Sequence, residues 1–168
     1  MTIATVGMSP LDLFDQLIAL QRELTEDIVL DDGRHGAQGV QFWEDIIPPR
    51  TTDNSNTPFI YQYFHAGADD GESSTCTIGH CIGTYSPDLD GWRDAKHIAF
   101  RIREELLRRR QVGKYRLLLA GDHRLTWRCI EQLTVENRTY PLHYMELLST
   151  WQIAGAAPLY DEGVEACL

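Results

Sequence analysis

The sequence predicts an α+β domain: a mostly antiparallel sheet with two main helices packed on it, in the order helix, two strands, helix, three strands. Two observations carry this. Two stretches repeat their apolar residues at helical spacing, while five others read as strands bounded by turn residues. The strands come in runs rather than alternating one by one with helices, which argues against a parallel α/β sheet. A length of 168 residues suits one domain, and a hydrophobic fraction of 43% permits a sizeable core. The expected domain spans 1–153, with an irregular insert at about 31–58, and 154–168 is expected to be a loose C-terminal tail.

The first helix opens at Ser9-Pro10-Leu11-Asp12. Ser9 can cap it, Pro10 sits where a missing N–H costs nothing, and Asp12 suits the positive helix end. Leu13, Phe14, Leu17, Ile18 and Leu24 form its apolar stripe, and it is expected to end near Asp27. Residues 31–58 are rich in Gly, Pro, Asn and Ser and read as loop, with Phe42, Trp43, Ile46 and Ile47 as an apolar island. That island fits a flap on the core or an anchor for a neighbouring subunit.

From Phe59 the pattern becomes β, with Phe59, Tyr61 and Tyr63 alternating with Ile60, Gln62 and Phe64. Ala66 to Ser73 reads as an acidic, glycine-containing connection, and Thr75 to Tyr85 as the hairpin's second strand. Its glycines, Gly79 and Gly83, should make it easy to bend and let a neighbour approach its backbone. Ser86 to Gly91 turns into the second helix, with Asp90 as a possible cap. Trp92, Ala95, Ile98, Ala99, Ile102 and Leu106 form its stripe. Arg108, Arg109 and Arg110 fall at its negative end, and Gly113 suits the residue beyond it. Three strands are expected after it, at 114–120, 125–134 and 141–153, with turns at 121–123 and 136–138.

The formal net charge of −10 argues against a general binder of nucleic acid or anionic membrane. No apolar run approaches the roughly 18 to 20 residues of a membrane helix, and the N-terminal stretch has no secretory pattern. Cys76, Cys81, Cys129 and Cys167 are irregularly spread and do not read as a disulfide framework, so a reducing cytosol is expected. On the same grounds the Asn137-Arg138-Thr139 sequon reads as accidental.

The stretch most like chemistry is CTIGHC, residues 76–81. A zinc or redox site would use Cys76, His80 and Cys81, with His65 as a further candidate. Yet the segment is rich in strand formers. In a strand, side chains alternate and rise about 3.3 Å per residue, so Cys76 and Cys81 would face opposite sides roughly 16 Å apart. Cys76 and His80 would share a face at about 13 Å, whereas a disulfide needs Cα atoms within about 7 Å. Buried cysteines acting as small hydrophobes explain the stretch with less. The histidines, His35, His65, His80, His97, His123 and His143, are scattered one per element, and no nucleophile elbow occurs. Asp88 and Asp90 resemble part of a calcium loop, but the remaining ligands are missing. No catalytic, cofactor-binding or metal residue is therefore assigned, and an enzyme is not expected.

From about residue 57 to 153 the chain resembles the tail terminator proteins (tail completion, neck region) of long-tailed bacteriophages. The resemblance lies in PFIYQYF, then a strand ending IGTYS, the turn PDLDGWRDA, and the helix HIAFRIREELLRRR. It continues in VGKYRLLL, LTWRCIEQ with its central Trp127, and TYPLHYMELLSTWQI ending near Trp151. It implies an α+β subunit that closes into a homo-oligomeric ring, commonly a hexamer, which caps the tail tube and meets the head-side connector. It implies partners in the tail tube protein and the connector protein, passage of DNA without specific binding, no cofactor and no membrane. The place implied is the virion tail or neck, assembled in the host cytoplasm. Another head–tail adaptor of the neck is the adjacent reading, and negative charge would suit either channel.

Overall fold

A computed structural model describes residues 9–46, 57–69, 73–88, 90–130 and 141–153. The order is α1 (Pro10–Thr25), β1 (Val29–Asp31), β2 (Ala37–Gly39), β3 (Gln41–Glu44), β4 (Phe59–Asp69), β5 (Ser74–Tyr85), α2 (Trp92–Arg109), β6 (Gln111–Val112), β7 (Tyr115–Leu117), β8 (Thr126–Cys129) and β9 (Leu142–Ile153). The fold is α+β, as the alternation of patterns predicts.

The main sheet runs β3-β4-β5-β9-β7-β6, with β8 also paired to β9. Among the described strands only the β3–β4 pair is parallel. The centre is β5 against β9, two twelve-residue strands paired along their whole length. Strands β7 and β8 both run antiparallel to β9 on the same side, at Trp151–Gln152 and at Met145–Leu148, so they make one edge interrupted by residues 118–125.

Both helices cover one sheet face. Leu13, Leu17 and Phe14 of α1 and Ile98, Ala99, Ile102 and Leu106 of α2 pack on Ile60, Ile78, Ile82, Met145, Leu147 and Trp151. Period 2 on the strands and period 3.6 on the helices select these residues. Ser9 caps α1, its hydroxyl accepting the Leu11 N–H at 3.2 Å. Tyr115, fully buried, donates from its hydroxyl towards the Ser9 carbonyl and Asp12 and ties this helix start to β7.

Several boundaries differ from the sequence reading. The insert is not wholly irregular: β1 and β2 form a hairpin and β3 joins the sheet edge. Its short strands alternate too briefly to rise above the surrounding glycines and prolines. The expected connection from Ala66 continues β4 as far as Asp69, because its backbone pairs with Ser74–Thr77 although its side chains are small and exposed. A register shift between Phe64 and Ala66 marks a bulge there. Helix α1 ends at Thr25, whose hydroxyl bonds the Gln21 carbonyl. Helix α2 begins after Gly91 without a side-chain cap, so Asp90 is not its cap. At its other end Arg110, φ 54°, takes the left-handed position expected of a glycine, and Gly113 instead turns β6 into β7. The strand expected at 114–120 shrinks to Tyr115–Leu117. Of the next, Thr126–Cys129 pairs, and its expected continuation lies outside the described residues, as do the turn at 136–138, Cys167 and the expected tail.

Candidate functional site

The CTIGHC stretch is extended within β5, and its side chains alternate as a strand requires. Cys76 and His80 point to the helix layer and are buried, while Cys81 lies on the other face between Tyr61 and Glu146. His65 is on that other face too, exposed, next to Tyr63. The four candidate ligands are thus divided between two faces. Among the described residues no three His, Cys, Asp or Glu side chains group to hold a metal ion. Burial pushes the Cys81 thiol up to about 12, helped by the Glu146 carboxylate, and burial also raises Cys76. Neither is a ready thiolate at neutral pH.

On the helix side, His80 sits in a buried polar chain. The Gln21 amide donates to Gln62 Oε1 at 2.9 Å and to His80 Nδ1 at 2.7 Å. With Nδ1 accepting, Nε2 carries the proton and donates to Ser149 Oγ at 3.0 Å. Ser149 Oγ also accepts the Trp151 indole N–H at 2.8 Å and can donate to the Ile78 carbonyl at 3.4 Å. Gln62 donates to the Phe14 carbonyl at 2.8 Å. The chain therefore runs from α1 through β4 and β5 to β9. Burial pushes His80 down to about 3, so it is neutral across the physiological range. Its partners occupy both ring nitrogens, and the side chain is fully buried.

The opposite face carries no helix among the described residues. Phe59, Tyr61 and Tyr63 of β4 lie beside Gly83, Cys81 and Gly79 of β5 and Tyr144, Glu146 and Leu148 of β9. The two glycines admit the rings: a Cβ on Gly79 would stand 2.2 Å from Tyr63 Cζ, and one on Gly83 2.3 Å from Phe59 Cε1. This is the close approach expected at the strand glycines. Tyr61 and Tyr63 stack at 5.2 Å. Tyr63 Oη donates to Glu146 Oε1, and Arg128 Nε to Glu146 Oε2. Burial works to raise the Glu146 carboxyl, and these two donors outweigh it and hold it lowered. Beside it opens a cleft of about 330 Å³ lined by His65, Thr126, Trp127, Arg128, Glu146 and Leu148. A carboxylate already held on both oxygens is a structural joint rather than a general base.

The other candidates are equally structural. Arg108 and Arg109 both hold Glu105, and Arg109 reaches Glu23 of α1 at 3.6 Å. At the calcium-like turn, the Asp88 carbonyl accepts the Gly91 N–H and the Ser86 hydroxyl accepts the Asp88 N–H. The sequence reading missed Gln21, Gln62 and Ser149. Each stands in step with inward-facing neighbours: Gln21 with Leu17 and Ile18, Gln62 with Ile60, and Ser149 with Leu147 and Trp151. A polar residue in phase with a buried stripe was the available signal.

No family model and no curated protein matches the chain. Among solved structures, it is similar to a chain of the virion of a native gene transfer agent particle, with TM-score 0.43 and 15% identity, covering 92% of this chain and 100% of that one.

Proposed function

We propose that this protein is a structural subunit of a phage-like particle: a tail terminator, or an adjacent neck adaptor, acting as a homo-oligomeric ring. The ring, six-fold by resemblance, caps the tail tube and joins it to the head-side connector. One observation carries the reading. The segments that resemble tail terminators do not scatter; PFIYQYF, IGTYS, HIAFRIREELLRRR, LTWRCIEQ and TYPLHYMELLSTWQI contribute β4, β5, α2, β8 and β9, a contiguous sheet with its helix. The chemistry-bearing side chains in this body are occupied in holding its layers, which suits assembly better than turnover. A net charge of −10 suits a lumen through which DNA slides without adhering. No helix among the described residues is long and apolar enough to cross a membrane. The test is light scattering and negative-stain imaging of the chain alone and with tail tubes. Rings, or ring-shaped caps on tube ends, are expected; a strict monomer that never binds tubes overturns the reading.

A further inference from the structure

The two ends of the main sheet match each other in height, direction and charge. At one end β3 is outermost; at the other β6 is outermost beyond β7, and β8 is outermost beside Met145–Leu148 of β9, with no strand beyond β3 or β8 among the described residues. Gln41–Glu44 lie level with Phe59–Gln62, which lie level with Gly83–His80 and so with Tyr144–Leu147. Trp127, Arg128 and Cys129 lie level with Leu147, Glu146 and Met145. Both outer edges therefore occupy the same band of the sheet. Strand β3 runs with β4 and so with β9, whereas β8 runs against β9.

The backbone polarity follows from the pairing. The N–H groups of Gln41 and Asp45 bond inward to Pro58 and Gln62 of the β4 segment, so those of Phe42 and Glu44 point outward. The Ile130 N–H bonds inward to the Tyr144 carbonyl, so those of Trp127 and Cys129 point outward. Charge is divided the same way. Exposed Glu44 ends β3 and exposed Asp45 follows it; Asp31 and Arg34 lie exposed on the hairpin before it, and Arg22 of α1 sits over the Phe42 ring at 4.9 Å. Exposed Arg110, Arg116 and Arg124 flank the β6–β7–β8 end, beside one acid, Asp122. Trp127 is 50% exposed on that edge.

We propose that β8 of one copy pairs antiparallel with β3 of the next, so that the sheet continues from subunit to subunit. The proposal rests on the ring reading and names its interface. Matched heights place Phe42 opposite Cys129, Trp43 opposite Arg128 and Glu44 opposite Trp127. The helix layers stay on one side, and the acidic edge meets the basic one. A head-to-tail contact of this kind closes into a ring when the rotation between copies closes.

The test uses the full chain, with tail tubes added if the chain alone is monomeric. The double variant Glu44→Cys, Trp127→Cys on a Cys129→Ser background should give, on oxidation, a ladder of covalent oligomers ending at the ring number. Neither variant with one introduced cysteine should pass a dimer, with Cys167→Ser added in all three. In an independent measurement, Cys129→Pro removes the outward N–H together with the thiol's contact to Met145 Sδ, and Cys129→Ala is the control that removes the thiol alone; the proline variant should match the alanine variant in circular dichroism and unfolding temperature and lose the ring. A ring that survives Cys129→Pro and yields no ladder overturns this interface and leaves the ring reading standing. A monomer in every condition overturns both.

Discussion

At the scale of single residues, the two faces of β5 are organised by different devices, and both predict measurable effects. His80 is buried and neutral, its pKa lowered to about 3 from an unfolded value of 6.5. The unfolded chain therefore binds a proton that the folded chain refuses. Stability is full above about pH 6.5 and falls as pH drops towards 3, by about 1.4 kcal/mol per pH unit through the window. Urea unfolding between pH 7 and pH 5, above the range where carboxyls protonate, should show this slope, and His80→Gln should reduce it while costing about 1 to 3 kcal/mol at pH 7 through the broken chain to Gln21 and Ser149. On the other face, Gly79→Ala drives a methyl into the Tyr63 ring and should cost about 1 to 3 kcal/mol. Tyr63→Ala added to it should recover part of that loss, and urea titration of the two single variants and the double variant reads the coupling. Close approach at Gly79 was legible, since a strand glycine invites it. The identity of the ring was not, because it depends on the register between β4 and β5, which is set across the hairpin rather than within either strand.

At the scale of elements, the helix ends show where sequence patterns suffice. Ser9-Pro10-Leu11-Asp12 announced α1 because cap, proline and acid act locally. At the end of α2 the sequence offers Gly113, yet the left-handed residue that closes the helix is Arg110, whose N–H bonds the Leu106 carbonyl; Gly113 takes a second left-handed turn between β6 and β7. A non-glycine residue at φ 54° is disfavoured. Arg110→Gly should therefore raise stability by about 0.5 to 1 kcal/mol, read as an increase of roughly 1 to 4 °C in Tm. Tyr115 gives the opposite case. It donates towards Ser9 and Asp12 from a fully buried position and is the rivet between β7 and α1. Tyr115→Phe should cost about 1 to 2 kcal/mol, visible in urea unfolding as a lower midpoint with an unchanged slope. Short edge strands escaped the sequence reading for a common reason. Three or four residues carry too little alternation, and their membership of the sheet is decided by the neighbour they find.

At the scale of the whole molecule, the charge is polar as well as negative. Asp31, Glu44 and Asp45 lie by β3 with Arg22 and Arg34 among them, while Arg110, Arg116, Arg124 and Arg128 lie by β6–β8, so the proposed association between copies should weaken with salt, more than an apolar interface would. Raising the salt from about 0.05 M to 0.5 M, beyond which exposed charges are largely screened, should shift light-scattering mass towards the monomer. Charge reversal by Glu44→Arg should do the same at low salt. An oligomer indifferent to both would show that charge does not govern assembly. The net value was legible from composition; its separation between two ends was not, because it appears only when the sheet order is known.

The sheet order has another consequence, for synthesis. Strand β9 leaves the ribosome after every other described element, yet it belongs at the centre of the sheet against β5. Until it arrives, β5 has one bare side, α1 and α2 have no complete floor to lie on, and Ser149 and Trp151 are missing from the buried chain around His80. Such distant pairing is slow to form and leaves an aggregation-prone edge on an unfinished chain. A chain truncated before β9 also lacks the strand that seats β8, so the edge through which copies are proposed to pair would not form.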